Sequence, residues 1–264
     1  MKQDERLVDA AGLSIFTQMA GDGPPIVWVA GLGDDHASWS QQVLDFSQEN
    51  LCVTFDNRGI GRSSIPPGPY TTAAMAEDAH ELIADLKLGP IVAVGSSMGG
   101  AICQEWAIRH PEDMRGLVLT NTWGRSDGYL RTLFDHWIAL AQDSGQRMLE
   151  SLLLFSFGAD YLAAHPDIAA EFLRSAPPNR EGFAAAAAAC REHDALDALA
   201  SLTVPTLVVV GDADILTRPA LGEELAGRIP GAELARIPAG HMLFWERPAE
   251  FASAVHSFIR EKGL

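Results

Sequence analysis

The chain has 264 residues, 47% of them hydrophobic and 20% charged, enough apolar material for a sizeable core in one domain and too much for a disordered chain. Its 35 Asp and Glu outnumber 19 Lys and Arg, for a formal net charge of −16. That balance disfavours nucleic-acid backbones and anionic lipid surfaces as partners.

Along the chain, Met1 to Arg6 is polar and lacks the apolar stretch of a secretory signal. Arg6–Ala20 alternates imperfectly and reads as an antiparallel hairpin at a sheet edge. Ile26–Ala30, Leu51–Phe55, Ile91–Gly95, Gly116–Thr120 and Thr206–Val210 are almost wholly apolar. Such short continuous runs suit strands buried on both faces, as in a parallel sheet. Helical patterns lie between them at His36–Glu49, Thr71–Leu88, Met98–Arg109 and Pro219–Arg228, and Pro248–Arg260 closes the chain with Pro in its first turn. The alternation predicts a doubly wound, mostly parallel α/β sheet.

One segment interrupts this rhythm. From Trp123 to Leu202 no buried strand is evident. Leu130, Leu133, Phe134, Trp137 and Ala141 fall on one face of a helix. Further helices fit Asp167–Ser175, Glu181–Arg191 and Asp194–Leu202. The expectation is a single domain over 1–264, with a core at 1–122 and 203–264 and a helical lid over about 123–202. No apolar run reaches the roughly 18 residues of a membrane span. Cys52, Cys103 and Cys190 are too few and too widely spaced for a disulfide framework or a zinc site. They point to a reducing, cytoplasmic setting.

The sharpest motif is Gly95-Ser96-Ser97-Met98-Gly99, a Gly-x-Ser-x-Gly between an apolar strand and a helix. That context raises the central Ser97 above the sheet on a strained turn and aims helix N–H groups at a developing oxyanion. A serine nucleophile needs a base, and the base needs an orienting acid. In this topology they follow in the order Ser, acid, His. Asp212 and Asp214 both follow Thr206–Val210. Asp214 is favoured, because an Asp directly after Gly211 often serves the turn itself. His241, in the loop after the plausible strand Glu233–Ile237, is the candidate base. The other seven histidines sit in or beside helical or lid segments.

Together these pieces resemble the α/β-hydrolase family over nearly the whole chain. The family's His-Gly-x-x loop corresponds to Ala30-Gly31-Leu32-Gly33, with the histidine replaced. The resemblance assigns the oxyanion-hole N–H groups to Leu32 and Met98, and Trp39 to core packing. Asp56-Asn57-Arg58-Gly59-Ile60-Gly61-Arg62-Ser63 matches a family turn, and no third glycine makes it a dinucleotide fingerprint. Within the family, the stretches around Gly31–Gln42 and Pro66–Ile83, with Asn121-Thr122-Trp123, are similar to 3-oxoadipate enol-lactonases and aminoacrylate hydrolases. This implies a serine esterase or lactonase acting through an acyl-enzyme, with no metal and no cofactor. The partner is a small-molecule ester or lactone, and a homodimer is left open. The same triad also serves carbon–carbon hydrolases and slow-turnover ligand receptors. Substrate choice falls to the lid, where residues 124–200 carry six Arg, no Lys and eleven Asp and Glu. Trp123, Phe134 and Trp137 are expected to line the pocket, and Arg125 to meet any substrate carboxylate.

Overall fold

The computed structural model describes residues 3–264, so the reading of the polar N-terminus falls partly outside the described residues. Strands β1 (Gln3–Ala10) and β2 (Leu13–Ala20) form an antiparallel edge hairpin. Its turn places Ala11 and Gly12 at φ 52° and 74°, the two left-handed positions of a tight hairpin. Six more strands complete the sheet: β3 (Pro25–Val29), β4 (Leu51–Phe55), β5 (Ile91–Ser96), β6 (Met114–Thr120), β7 (Thr206–Gly211) and β8 (Glu233–Ile237). The order is β1-β2-β4-β3-β5-β6-β7-β8, with β2 antiparallel to β4 and every pair from β4 onward parallel.

Each central strand is buried on both faces. Val27, Val29, Ala93, Val208 and Val210 join the core beneath α2 (Thr72–Asp85), α3 (Met98–Arg109) and α9 (Pro219–Arg228). Ile26, Trp28, Val92, Val94 and Val209 face α1 (Ser40–Phe46) and the C-terminal helix Pro248–Lys262. This is why those strands read as unbroken apolar runs rather than alternating ones.

A helical insertion separates β6 from β7: α4 (Gly128–Asp143), α5 (Gly145–Ser156), α6 (Ala159–Ala164), α7 (Pro166–Arg174) and α8 (Arg180–Glu192). Side chains of Asp127, Ser144 and Asn179 cap the first turns of α4, α5 and α8, satisfying N–H groups that have no intrahelical partner. The apolar stripe of α4 is buried from Leu130 to Ala141.

Two predicted helices differ in form. His36–Glu49 splits into a 3-10 turn at His36–Trp39, capped by Asp35, and the short α1. Asp194–Leu202 is not an α-helix: Asp194 forms a β-bridge with Arg125, and only Ala198–Ser201 coils, as a 3-10 turn. Pairing with a distant segment overrode the local pattern. Among the described residues no helix is long and apolar enough to cross a membrane.

Candidate active site

The candidate side chains Ser97, Asp214 and His241 gather at the carboxyl ends of the parallel strands, where ligands bind in open α/β sheets. At the end of β5, Ser97 has φ 55° and ψ −119°, a conformation that costs about 1–3 kcal/mol for a non-glycine residue. Its surroundings hold it there: Ser97 N–H donates to Thr120 O at 2.9 Å, and the Thr122 hydroxyl donates to Ser97 O at 2.8 Å. The flanking glycines allow no side chain. A Cβ at Gly95 would stand 2.3 Å from Gly99 O, and one at Gly99 would stand 2.1 Å from Val29 O.

Beyond β7, Asp214 is buried and every contact of its carboxylate is specific. Oδ1 accepts from the N–H groups of Leu216 and Thr217 at 2.8 and 3.0 Å. Oδ2 lies 2.8 Å from His241 Nδ1 and 2.7 Å from the Thr217 hydroxyl. Asp212 instead forms an exposed ion pair with Arg236. The structure thus brings Asp214, not Asp212, to the histidine. With Nδ1 committed to Asp214, the other ring nitrogen, Nε2, carries the basic lone pair.

Two residues that the sequence did not mark as functional hold this arrangement. Asn121, at the end of β6 and at φ 42°, donates through Nδ2 to Gly240 O and His241 O at 3.1 and 2.7 Å, and its Oδ1 accepts from Gly211 N–H at 2.7 Å. It clamps the His241 loop to the end of β7. Thr217's hydroxyl also lies 2.8 Å from Asn121 O and 3.2 Å from His241 Nδ1, so it shares the hydrogen bonding of the His–Asp pair. Asn121 was noticed only within a family-like tripeptide, and Thr217 carried no local signal. The insertion is fastened to the same loop. Glu246 accepts from Gly158 and Gly240 N–H at 2.8 and 3.0 Å, and Met242 N–H donates to Ser156 O at 2.7 Å.

Ser97 and His241 open into one cavity of about 120 Å³, roofed by Phe134, Trp137, Leu152 and Phe172 of the insertion. Leu32 lines it beside Ser97, and Met98 follows Ser97 at the start of α3. Among the described residues, neither Leu32 N–H nor Met98 N–H has a protein acceptor. Phe134 and Trp137 lie where the sequence placed them. Trp123 and Arg125 do not. Trp123 is fully buried, donates to Ser126 Oγ at 2.8 Å and packs against Phe134 and His193. Arg125 is exposed and bonded at 2.8 Å to both Asp194 and Asp197, outside the cavity. Its charge is taken by carboxylates some seventy residues on, which no local pattern reveals.

Among the described residues, two side-chain groups have metal-ligand character, His80–His110–Asp113 and Asp35–His36–Asp56. Both are internally bonded, at 2.7 Å for His80 Nδ1 to Asp113 and for His36 Nδ1 to Asp56, and neither lines the cavity.

A family model described as the alpha/beta hydrolase fold matches residues 24–248. The chain belongs to the alpha/beta hydrolase family. It is 34% identical over 250 residues to a putative non-heme bromoperoxidase, BpoC, of Mycobacterium tuberculosis, covering 90% of this chain and 95% of that protein. It is 32% identical to a putative carbamate hydrolase, RutD, of Caulobacter vibrioides, covering 87% and 88%. Among solved structures, an enol-lactonase from Burkholderia xenovorans superposes with a TM-score of 0.91 at 28% identity, over 96% of this chain and 99% of that one. The family-like turn at Asp56 is structural in this hydrolase. The Asp56 carboxylate accepts from His36 and Arg62 N–H at 2.8 Å each, and Arg58 forms a two-pronged bond with Asp78 at 2.6 Å.

Proposed function

We propose that the protein is a serine hydrolase that cleaves a small carboxylic ester or lactone. The observation that carries this reading is the buried His241–Asp214 pair facing the cavity that contains Ser97. Ser97 Oγ attacks the substrate carbonyl carbon as His241 Nε2 takes its proton. The Asp214 carboxylate then faces an imidazolium whose orientation it already sets. The carbonyl oxygen becomes an oxyanion and accepts from the free Leu32 and Met98 N–H groups; one such donor typically contributes ~10²–10³ in rate. His241 protonates the departing alkoxide, leaving an acyl group on Ser97. Water then repeats the sequence and releases the acid. The insertion acts as a lid that excludes solvent and selects the substrate, and the small cavity beneath it favours compact acyl groups. The enol-lactonase likeness supports a lactone among the substrates.

A panel of short p-nitrophenyl esters and small lactones tests this. Wild type is expected to hydrolyse at least one, with Ser97→Ala and His241→Ala each slower by at least about 10³-fold. Equal turnover by wild type and Ser97→Ala refutes the nucleophile. Activity confined to vinylogous diketones places the protein among carbon–carbon hydrolases instead.

A further inference from the structure

The cavity contains one carboxylate that the catalytic scheme does not use. Asp34 lies in the loop after β3, two residues past the oxyanion donor Leu32, and lines the cavity with Ser97 and His241. A methyl group added at Gly31 would stand 3.4 Å from Asp34 Oδ2 and 3.5 Å from Ser97 Cβ. Asp34 Oδ2 therefore lies within about 7 Å of Ser97 Cβ.

Asp34 is also unusual in what it lacks. The carboxylates of Asp35, Asp56 and Asp214 each accept backbone N–H groups. Among the described residues, the Asp34 side chain has no hydrogen bond or ion pair, and only its backbone N–H is bonded, to Gly31 O. Asp34 is half-buried, so leaving this carboxylate without protein partners carries a moderate cost rather than that of a fully buried charge. Burial raises its pKa to about 6, against a lowering by His241 and a further raising by Asp35. At pH 8 it is ionised, and Asp34 and His241 are the only ionisable side chains among the lining residues. Among the described residues no Lys or Arg lines the cavity to receive a substrate carboxylate, and Arg125, the one candidate from the sequence, is spent elsewhere. The wall also presents the aromatic rings of Phe134, Trp137 and Phe172, surfaces that favour a cation over an anion.

We propose that Asp34 sets the charge specificity of the active site, so that it accepts neutral or ammonium-bearing small esters and lactones and rejects those carrying a carboxylate near the scissile carbonyl. This rests on the hydrolase reading and narrows it: an enol-lactone that carries a free carboxylate, as the resemblance to 3-oxoadipate enol-lactonases would imply, is a poor substrate here. A negative charge placed within several ångströms of Asp34 is expected to lose about tenfold in kcat/KM.

The test uses three esters of matched chain length at pH 8: ethyl butanoate, monoethyl succinate and ethyl trimethylammoniobutanoate. In wild type the half-ester is expected to be slowest by at least about tenfold. Asp34→Asn is expected to raise the ratio of half-ester to neutral kcat/KM about tenfold and to lower the ammonium-to-neutral ratio. Asp34→Glu, which keeps the charge, should keep the wild-type ranking; this separates charge from disturbed packing. Flat kinetics in wild type, or a ratio unmoved in Asp34→Asn, overturns the inference. Calorimetric binding of the same esters to Ser97→Ala separates this result from a failure of the hydrolase reading. If wild type cleaves none of them, weaker binding of the half-ester still upholds the role of Asp34, and equal binding of all three refutes it.

Discussion

Replacing Asn121 with Ala removes a side chain that joins β6, β7 and the His241 loop. Three hydrogen bonds vanish, and Gly240 O, His241 O and Gly211 N–H are left in a region with almost no solvent access. Each stranded buried group costs about 1–3 kcal/mol, but the loop will shift and recover part of this, for a net loss of about 3–5 kcal/mol. Ala also tolerates φ 42° less well than Asn, which adds a few tenths. For a chain of this size the loss corresponds to a fall in Tm of roughly 10 °C. Activity should fall further than stability alone explains, because the freed carbonyls belong to the loop that aims His241. A displacement of about 1 Å can cost ~10² in rate. The assay is thermal melting together with p-nitrophenyl acetate kinetics well below the lowered Tm. The expected outcome is kcat reduced by about 10–10²-fold with KM nearly unchanged. A Tm within about 2 °C of wild type and a kcat within about twofold would refute the clamp.

Three further expectations rest on single side chains. Thr217→Val removes the hydroxyl shared by Asp214, His241 and Asn121 and should lower kcat about threefold to tenfold without changing KM; an unchanged kcat means the hydroxyl only fills space. His193, buried at the end of the insertion, lies 3.0 Å from Thr72 Oγ1 and 3.3 Å from Gln104 Oε1, and burial lowers its pKa to about 4. The unfolded chain protonates this imidazole below about 6.5 while the fold resists, so stability is lost as pH falls from there toward about 4, by about 2 kcal/mol between pH 7 and pH 5. Melts at the two pH values should show a smaller Tm drop for His193→Gln than for wild type, and equal drops would contradict the assignment. Asp34 acts in the opposite direction, since its pKa is raised: its penalty is absent below about 4 and complete above about 6. Asp34→Asn should therefore raise Tm at pH 8 by a few degrees, with the gain fading toward pH 4; a destabilised Asn variant at pH 8 would show that the carboxylate has stabilising contacts.

The chain order of strand and helix could be read directly because burial on both faces leaves a signature within five or six consecutive residues. The Ser97 elbow was equally local, with an apolar strand, two obligatory glycines and a helix all adjacent in sequence. His241 followed from its position after the last strand. Tertiary structure decided whatever depends on partners far apart in the chain. Asp214 was separated from Asp212 because Leu216 and Thr217 turn their N–H groups onto one carboxylate while Arg236 takes the other. Arg125 left the substrate site because Asp194 and Asp197 fold back to neutralise it. Asn121 gained its role from carbonyls at Gly240 and His241, on a different strand's loop. Asp34, unremarkable in a loop of Gly and Asp, became a candidate determinant of specificity only once the fold set it in the cavity wall beside Ser97 with its carboxylate unpaired. Periodicity and short motifs report which residues avoid water and which turns are tight; which polar groups meet across the sheet is set by the fold as a whole.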